Sequence, residues 1–132
     1  MNLSISQPYF INWGKKLRLQ QGEVLFREGS LADGHMFIVL EGNIEISKDG
    51  VTLQFAKPGE ILGELALIDG LPRSASAISS SNSVVGVISE PDFKILILRN
   101  PNIALEMMKI LAGRVRANLS SQSISKKAEP IQ

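Results

Sequence analysis

From residue 17 to residue 89 the chain is interrupted by turn signals about every eight to twelve residues, a rhythm that leaves room only for short strands. Leu17 and Leu19 alternate with Arg18 and Gln20, the period of a strand with one buried face. Gln21-Gly22 turns the chain, Val24-Leu25-Phe26 follows, and Ala32-Asp33-Gly34 turns it again ahead of a β-rich run over 35–40. Ile44 and Ile46 alternate with Asn43, Glu45 and Ser47. Beyond Asp49-Gly50, Val51, Leu53 and Phe55 alternate with Thr52 and Gln54. Two alternating runs joined by Asp-Gly predict a hairpin closed by a tight type I′ turn. Lys57-Pro58-Gly59-Glu60 is a further turn, and 74–79 and 83–89 read as two more strands. Such spacing implies a sandwich or barrel of short strands.

After Ser89 the period changes. Ser89-Glu90-Pro91-Asp92 is a helix start, with the cap just ahead of Pro91, and a short helix follows over 91–98. Asn100-Pro101 begins a second helix. In it Ala104, Met107, Met108, Leu111 and Val115 fall at helical spacing and form an apolar stripe, with Glu106, Lys109, Arg114 and Arg116 mostly off it as a solvated face. Strands first and helices last predict an α+β class, mainly β. The 132 residues, 44% hydrophobic and 20% charged, suit one domain with a modest core.

Composition removes several kinds of chemistry. Fourteen Lys and Arg face thirteen Asp and Glu, without the basic excess of a dedicated nucleic-acid binder. The chain has no cysteine, which rules out a disulfide framework, an iron–sulfur cluster and a thiolate zinc site. Its one histidine, His35, cannot build a metal site of several imidazoles and is expected to be a partly solvated side chain at a turn. No metal is therefore expected. The longest apolar runs, 37–40, 84–88 and 95–98, fall far below the roughly 20 residues that span a bilayer. A cytoplasmic protein with no membrane contact is the expectation.

One stretch, 62–77, stands apart. Gly63 permits an unusual backbone angle or a close approach by a ligand. Glu64 and the four residues after it favour a single short helix, which Asp69-Gly70-Leu71-Pro72 ends abruptly. Arg73 then enters a strand of small residues. A helix start offers backbone N–H groups to an anion, small residues let the anion come close, and Arg73 could meet it with parallel charge-assisted bonds. A carboxylate beside an anion site is repulsive unless it accepts from a donor, and a sugar hydroxyl is such a donor. A cyclic ribose phosphate carries both the charge and the hydroxyl.

This stretch resembles the phosphate-binding cassette of cyclic nucleotide-binding domains, the family of cAMP receptor proteins and protein kinase A regulatory subunits. Gly63, Glu64, Leu65, Ala66 and Leu67 match its first half, and Pro72, Arg73, Ser74 and Ala75 its second, with Glu64 and Arg73 nine positions apart. The likeness extends over roughly 17–111, through 22–29 and 37–42. Leu62 stands where the family often has Phe. The resemblance implies an antiparallel jelly roll (a double-stranded β-helix) with C-terminal helices. It implies cAMP or cGMP as ligand, cAMP ahead of cGMP on family frequency, with no cofactor and no catalysis. Glu64 would accept from the ribose 2′-hydroxyl and Arg73 would pair with the exocyclic phosphate oxygens. Backbone N–H groups at Ala66 and Ser74 and the Ser74 hydroxyl would add donors, with Gly63 on the ribose side and Leu65 and Ala75 completing the binding residues. Ile110 or Leu111 would cap the base. Ser74 does not decide between the two nucleotides.

The expected organisation is an N-terminal arm or short helix over 1–15, a nucleotide-binding domain with lid helices over 16–118, and a disordered tail over 119–132. The expected role is a stand-alone sensor that changes the packing of its C-terminal helices for an unknown effector protein. It would be a monomer or a homodimer through the last helix, with no DNA-binding domain in this chain. The competing reading is a degenerate, ligand-free β-roll used for structure or protein interaction.

Overall fold

The computed structural model describes residues 3–4 and 15–125. Two sheets form the body. The first runs in the order β1 (Leu3–Ser4), β7 (Glu60–Leu62), β4 (His35–Glu41), β9 (Ser83–Ser89), β2 (Lys15–Leu19). The second runs β3 (Val24–Phe26), β8 (Ser76–Ser79), β5 (Ile44–Lys48), β6 (Val51–Ala56). Every pairing is antiparallel. With the two-residue β1 set aside, four strands face four, the jelly roll implied by the cassette. Helix α1 (Glu64–Asp69) interrupts the strands, and α2 (Glu90–Arg99) and α3 (Pro101–Ser125) follow them.

The two sheets enclose one core, which includes Phe37, Val39, Ile44, Ile46, Ala77 and Val85. A second core lies between the first sheet and the helices, where Met36, Ile38, Ile61 and Ile88 meet Leu67, Phe93, Leu96, Ile103 and Met107. β4 therefore buries both faces, which explains why 36–40 is an unbroken apolar run rather than an alternating one. The hairpin follows the Asp-Gly signal: Asp49 has φ 53° and Gly50 φ 76°, and β5 pairs with β6 from Lys48↔Val51 to Ile44↔Ala56.

Four expectations need revision. β7 was not foreseen: it is three residues long, fully buried, and squeezed between a Pro-Gly turn and the cassette. The alternation in β6 marks a strand, but its apolar set points outward. Val51, Leu53 and Phe55 are exposed while Gln54 and Ala56 face in. The α3 stripe splits, because Met107 is buried on the sheet but Met108 and Val115 are exposed; the buried row is Ile103, Met107 and Ile110. α3 also continues to Ser125, into the segment expected to be a tail from 119. The apolar arm residues Tyr9, Phe10, Ile11 and Trp13 lie outside the described residues, as does 126–132. No helix among the described residues is long and apolar enough to cross a membrane.

Candidate functional site

The cassette folds as a left-handed residue, a single helical segment and a return to the sheet. Gly63 caps α1 with φ 77°, and Gly70 ends it with φ 69°, its N–H donating to the Ala66 carbonyl. Both angles lie where glycine is favoured. A Cβ at Gly63 would sit 2.6 Å from Arg73 Nη1, so glycine is required for space as well as angle. The main chain of Arg73 is pinned from both sides: its N–H donates to the Ser30 carbonyl at 2.9 Å, and its carbonyl accepts from Gly29 N–H at 2.8 Å.

The Arg73 side chain is 2% exposed. Its Nη1 donates to the Gly63 carbonyl at 3.0 Å, and Nη2 donates to Asp33 Oδ1 at 2.8 Å and to the His35 carbonyl at 3.0 Å. The guanidinium lies 4.5 Å from the Phe26 ring centroid and 5.7 Å from that of Phe37. Rings and carbonyls thus hold it in one place, and two of its five N–H groups have no partner among the described residues. His35 has its side chain 42% exposed, with Nδ1 3.4 Å from Asp33 Oδ1, so it is the partly solvated residue expected.

Glu64 is 4% exposed, a costly place for a carboxylate without a partner. Its partner is Arg114 of α3, whose Nη1 donates to Oε1 at 2.6 Å. Oε2 of Glu64 has no partner among the described residues. Arg73 and Glu64 do not bond to each other; a third group holds each one. Both border a cavity of about 300 Å³, together with Gly63, Leu65, Ala66, Ser74 and Ala75 from the cassette. Phe26, Ile46, Leu53, Gln54 and Ala56 supply a mostly apolar wall. That volume is at the small end of ligand pockets, as suits a compact nucleotide.

All seven cassette residues singled out in the sequence therefore meet at one cavity. Ile110 and Leu111 do not line it: Ile110 packs on the helix-side core, Leu111 is half-buried, and α3 reaches the cavity with Arg114. Arg114 was read as part of a solvated face, yet it lies four residues beyond Ile110 and seven beyond Met107, on the buried row. That spacing was the available signal. Asp33 and Gln54 were missed as well. Asp33 lies far from Arg73 in sequence with no pattern joining them, and Gln54 reads as the polar side of a strand.

Known proteins share this sequence pattern and fold. The chain is 31% identical over 101 residues to the cyclic AMP receptor protein of Thermus thermophilus, covering 73% of this chain and 46% of that protein. A cyclic nucleotide-gated potassium channel of Rhizobium etli is 32% identical over 93 residues, covering 70% of this chain and 26% of the channel. The chain thus spans less than half the length of each of these relatives. A solved structure from work on a cyclic-GMP-dependent signalling pathway that regulates bacterial phytopathogenesis superposes with a TM-score of 0.77 at 28% identity, over 89% of this chain and 98% of that one. The family model for the cyclic nucleotide-binding domain matches residues 16–100. A jelly roll, a complete cassette around one cavity and that match lead to one conclusion: the chain belongs to the cyclic nucleotide-binding domain family.

Proposed function

We propose that this chain binds a cyclic purine nucleotide, cAMP ahead of cGMP, and works as a regulatory module without transforming its ligand. One observation carries the reading. Arg73 and Glu64 are both almost fully buried beside one cavity, and each is held by a third residue instead of by the other. Arg73 is paired with Asp33 and Glu64 with Arg114, yet neither pair uses all the hydrogen-bonding capacity of its buried member. Here two guanidinium N–H groups and one carboxylate oxygen remain for a ligand. The phosphate takes Arg73 and the Ser74 hydroxyl and N–H, with the Ala66 N–H, and the ribose hydroxyl donates to Glu64.

The carboxylate of Glu64 links ligand to helix. Arg114 of α3 holds Oε1, so a ribose hydroxyl on Oε2 changes the hold on α3. Ligand then shifts the population of α3 positions, and an effector protein reads the shift. In a ligand-closed position α3 would bring Ile110 or Leu111 toward the base. A second copy is the partner proposed for the outer side of α3, where Leu105, Met108, Ala112, Val115 and Leu119 are exposed at alternating spacings of three and four. That spacing is a coiled-coil seam.

Titration calorimetry with cAMP and cGMP tests the binding. Arg73→Ala is expected to weaken binding by about 2–4 kcal/mol, since the buried phosphate loses its countercharge. Equal affinity in the variant overturns the reading. A melting temperature that neither nucleotide raises would instead favour a ligand-free interaction domain.

A further inference from the structure

We infer that Gln54 is the residue of this site that selects adenine over guanine. The inference rests on the cyclic nucleotide reading above and assigns the part of the ligand that the cassette leaves unaddressed.

Gln54 is anomalous in its own strand. It pairs with Ile46, which is 8% exposed, and its neighbour on the same face, Ala56, pairs with Ile44, which is fully buried. Directly opposed residues share a face of the sheet, so Gln54 points inward, at a position where a β-roll core would take an apolar side chain. The large apolar residues of β6, Val51, Leu53 and Phe55, are exposed, although Leu53 also borders the cavity. A strand that places its amide inside and its aliphatic groups outside is explained when the inside is a ligand cavity. Gln54 lines that cavity.

The other polar side chains on the cavity are accounted for. Arg73 and Ser74 answer the phosphate, and Glu64 the ribose. Arg114 is tied to Glu64 and offers only donors. Glu60 accepts the Lys57 N–H through Oε1, and its Oε2 is shut away from solvent. Gln54 makes no hydrogen bond through its amide among the described residues, and once Ser74 is given to the phosphate it is the lining side chain left with both a donor and an acceptor. It lies beside Ile46, Leu53 and Ala56, the apolar wall suited to a base. Adenine presents an amino donor at N6 next to an acceptor at N7, the pair that a glutamine amide matches with two bonds; guanine presents two acceptors there.

The test is a cycle of two ligand changes against one side-chain change, by calorimetry on the full chain. cAMP is compared with cGMP, with the 7-deaza analogue and with the purine analogue lacking the 6-amino group, on the native protein and on Gln54→Leu. The native protein should prefer cAMP to cGMP, and each analogue should lose about tenfold relative to cAMP. In Gln54→Leu the cAMP affinity should fall to the level of the analogues, and the analogue penalties should vanish. The analogue series on the native protein stands even if the variant does not fold. Unchanged selectivity in Gln54→Leu, or an equal loss for cAMP and cGMP, overturns the inference and leaves nucleotide binding intact. Failure of the native protein to bind either nucleotide removes the reading beneath it instead.

Discussion

Gly63 and Arg73 constrain each other at close range. The left-handed angle and the Nη1 atom 2.6 Å from where a Cβ would stand act together, and Arg73 cannot retreat because Phe26 and Phe37 flank it. Gly63→Ala should therefore lower folding stability by about 1–3 kcal/mol and weaken cAMP binding in parallel, read by chemical denaturation and calorimetry. Unchanged stability would mean the loop re-forms around the methyl group. Asp33 is 59% exposed in its side chain, so its pair with Arg73 is discounted for solvent screening. Asp33→Ala should cost about 1 kcal/mol without ligand, and saturating cAMP should narrow that gap because the phosphate supplies the missing negative charge. A gap that nucleotide leaves untouched would show that Asp33 acts elsewhere. At this scale the cassette was legible because its residues are consecutive. The groups that steady it were not, since Asp33 and Arg114 come from loops and helices far along the chain.

At the level of elements, α2 begins where its sequence says it should. The Ser89 hydroxyl accepts the Asp92 N–H at 3.3 Å with Pro91 in the first turn, so Ser89→Ala should cost about 1 kcal/mol in thermal denaturation. α3 depends more on what it touches. Arg114→Ala leaves Glu64 buried without a countercharge and should cost about 1–3 kcal/mol. Amide hydrogen exchange along the second half of α3 should rise with it; unaltered exchange would show that the helix is held by Ile103, Met107 and Ile110 alone. The two alternating strands of the hairpin show where periodicity stops informing. Asp49-Gly50 defined the turn correctly, because both residues need positive φ. Alternation told that β6 is a strand but not which side is inner, because the space inside it is a cavity and hydrophobicity does not mark a cavity wall.

For the molecule as a whole, the order of elements was readable apart from β7, and the layering was not. Nothing in a run such as 36–40 tells a strand between two cores from a buried helix turn; here the sheet on one side and three helices on the other decide it. The outer row of α3 belongs to this scale too. If a second copy covers it, Leu105→Glu with Leu119→Glu should convert a dimer to a monomer in light scattering while cAMP still binds. A native protein that is monomeric at high concentration would remove the seam from consideration.

The inverted faces of β6 bear on how this protein behaves in a crowded solution. Among the described residues β6 is the outermost strand of its sheet and carries exposed Val51 and Leu53, the combination from which strand-on-strand stacking between molecules grows. Lys48 and Lys57, both exposed, bracket that border and repel an incoming copy. Replacing the pair by serine should hasten turbidity on warming without altering the melting point, so these two charges would guard shelf life rather than fold.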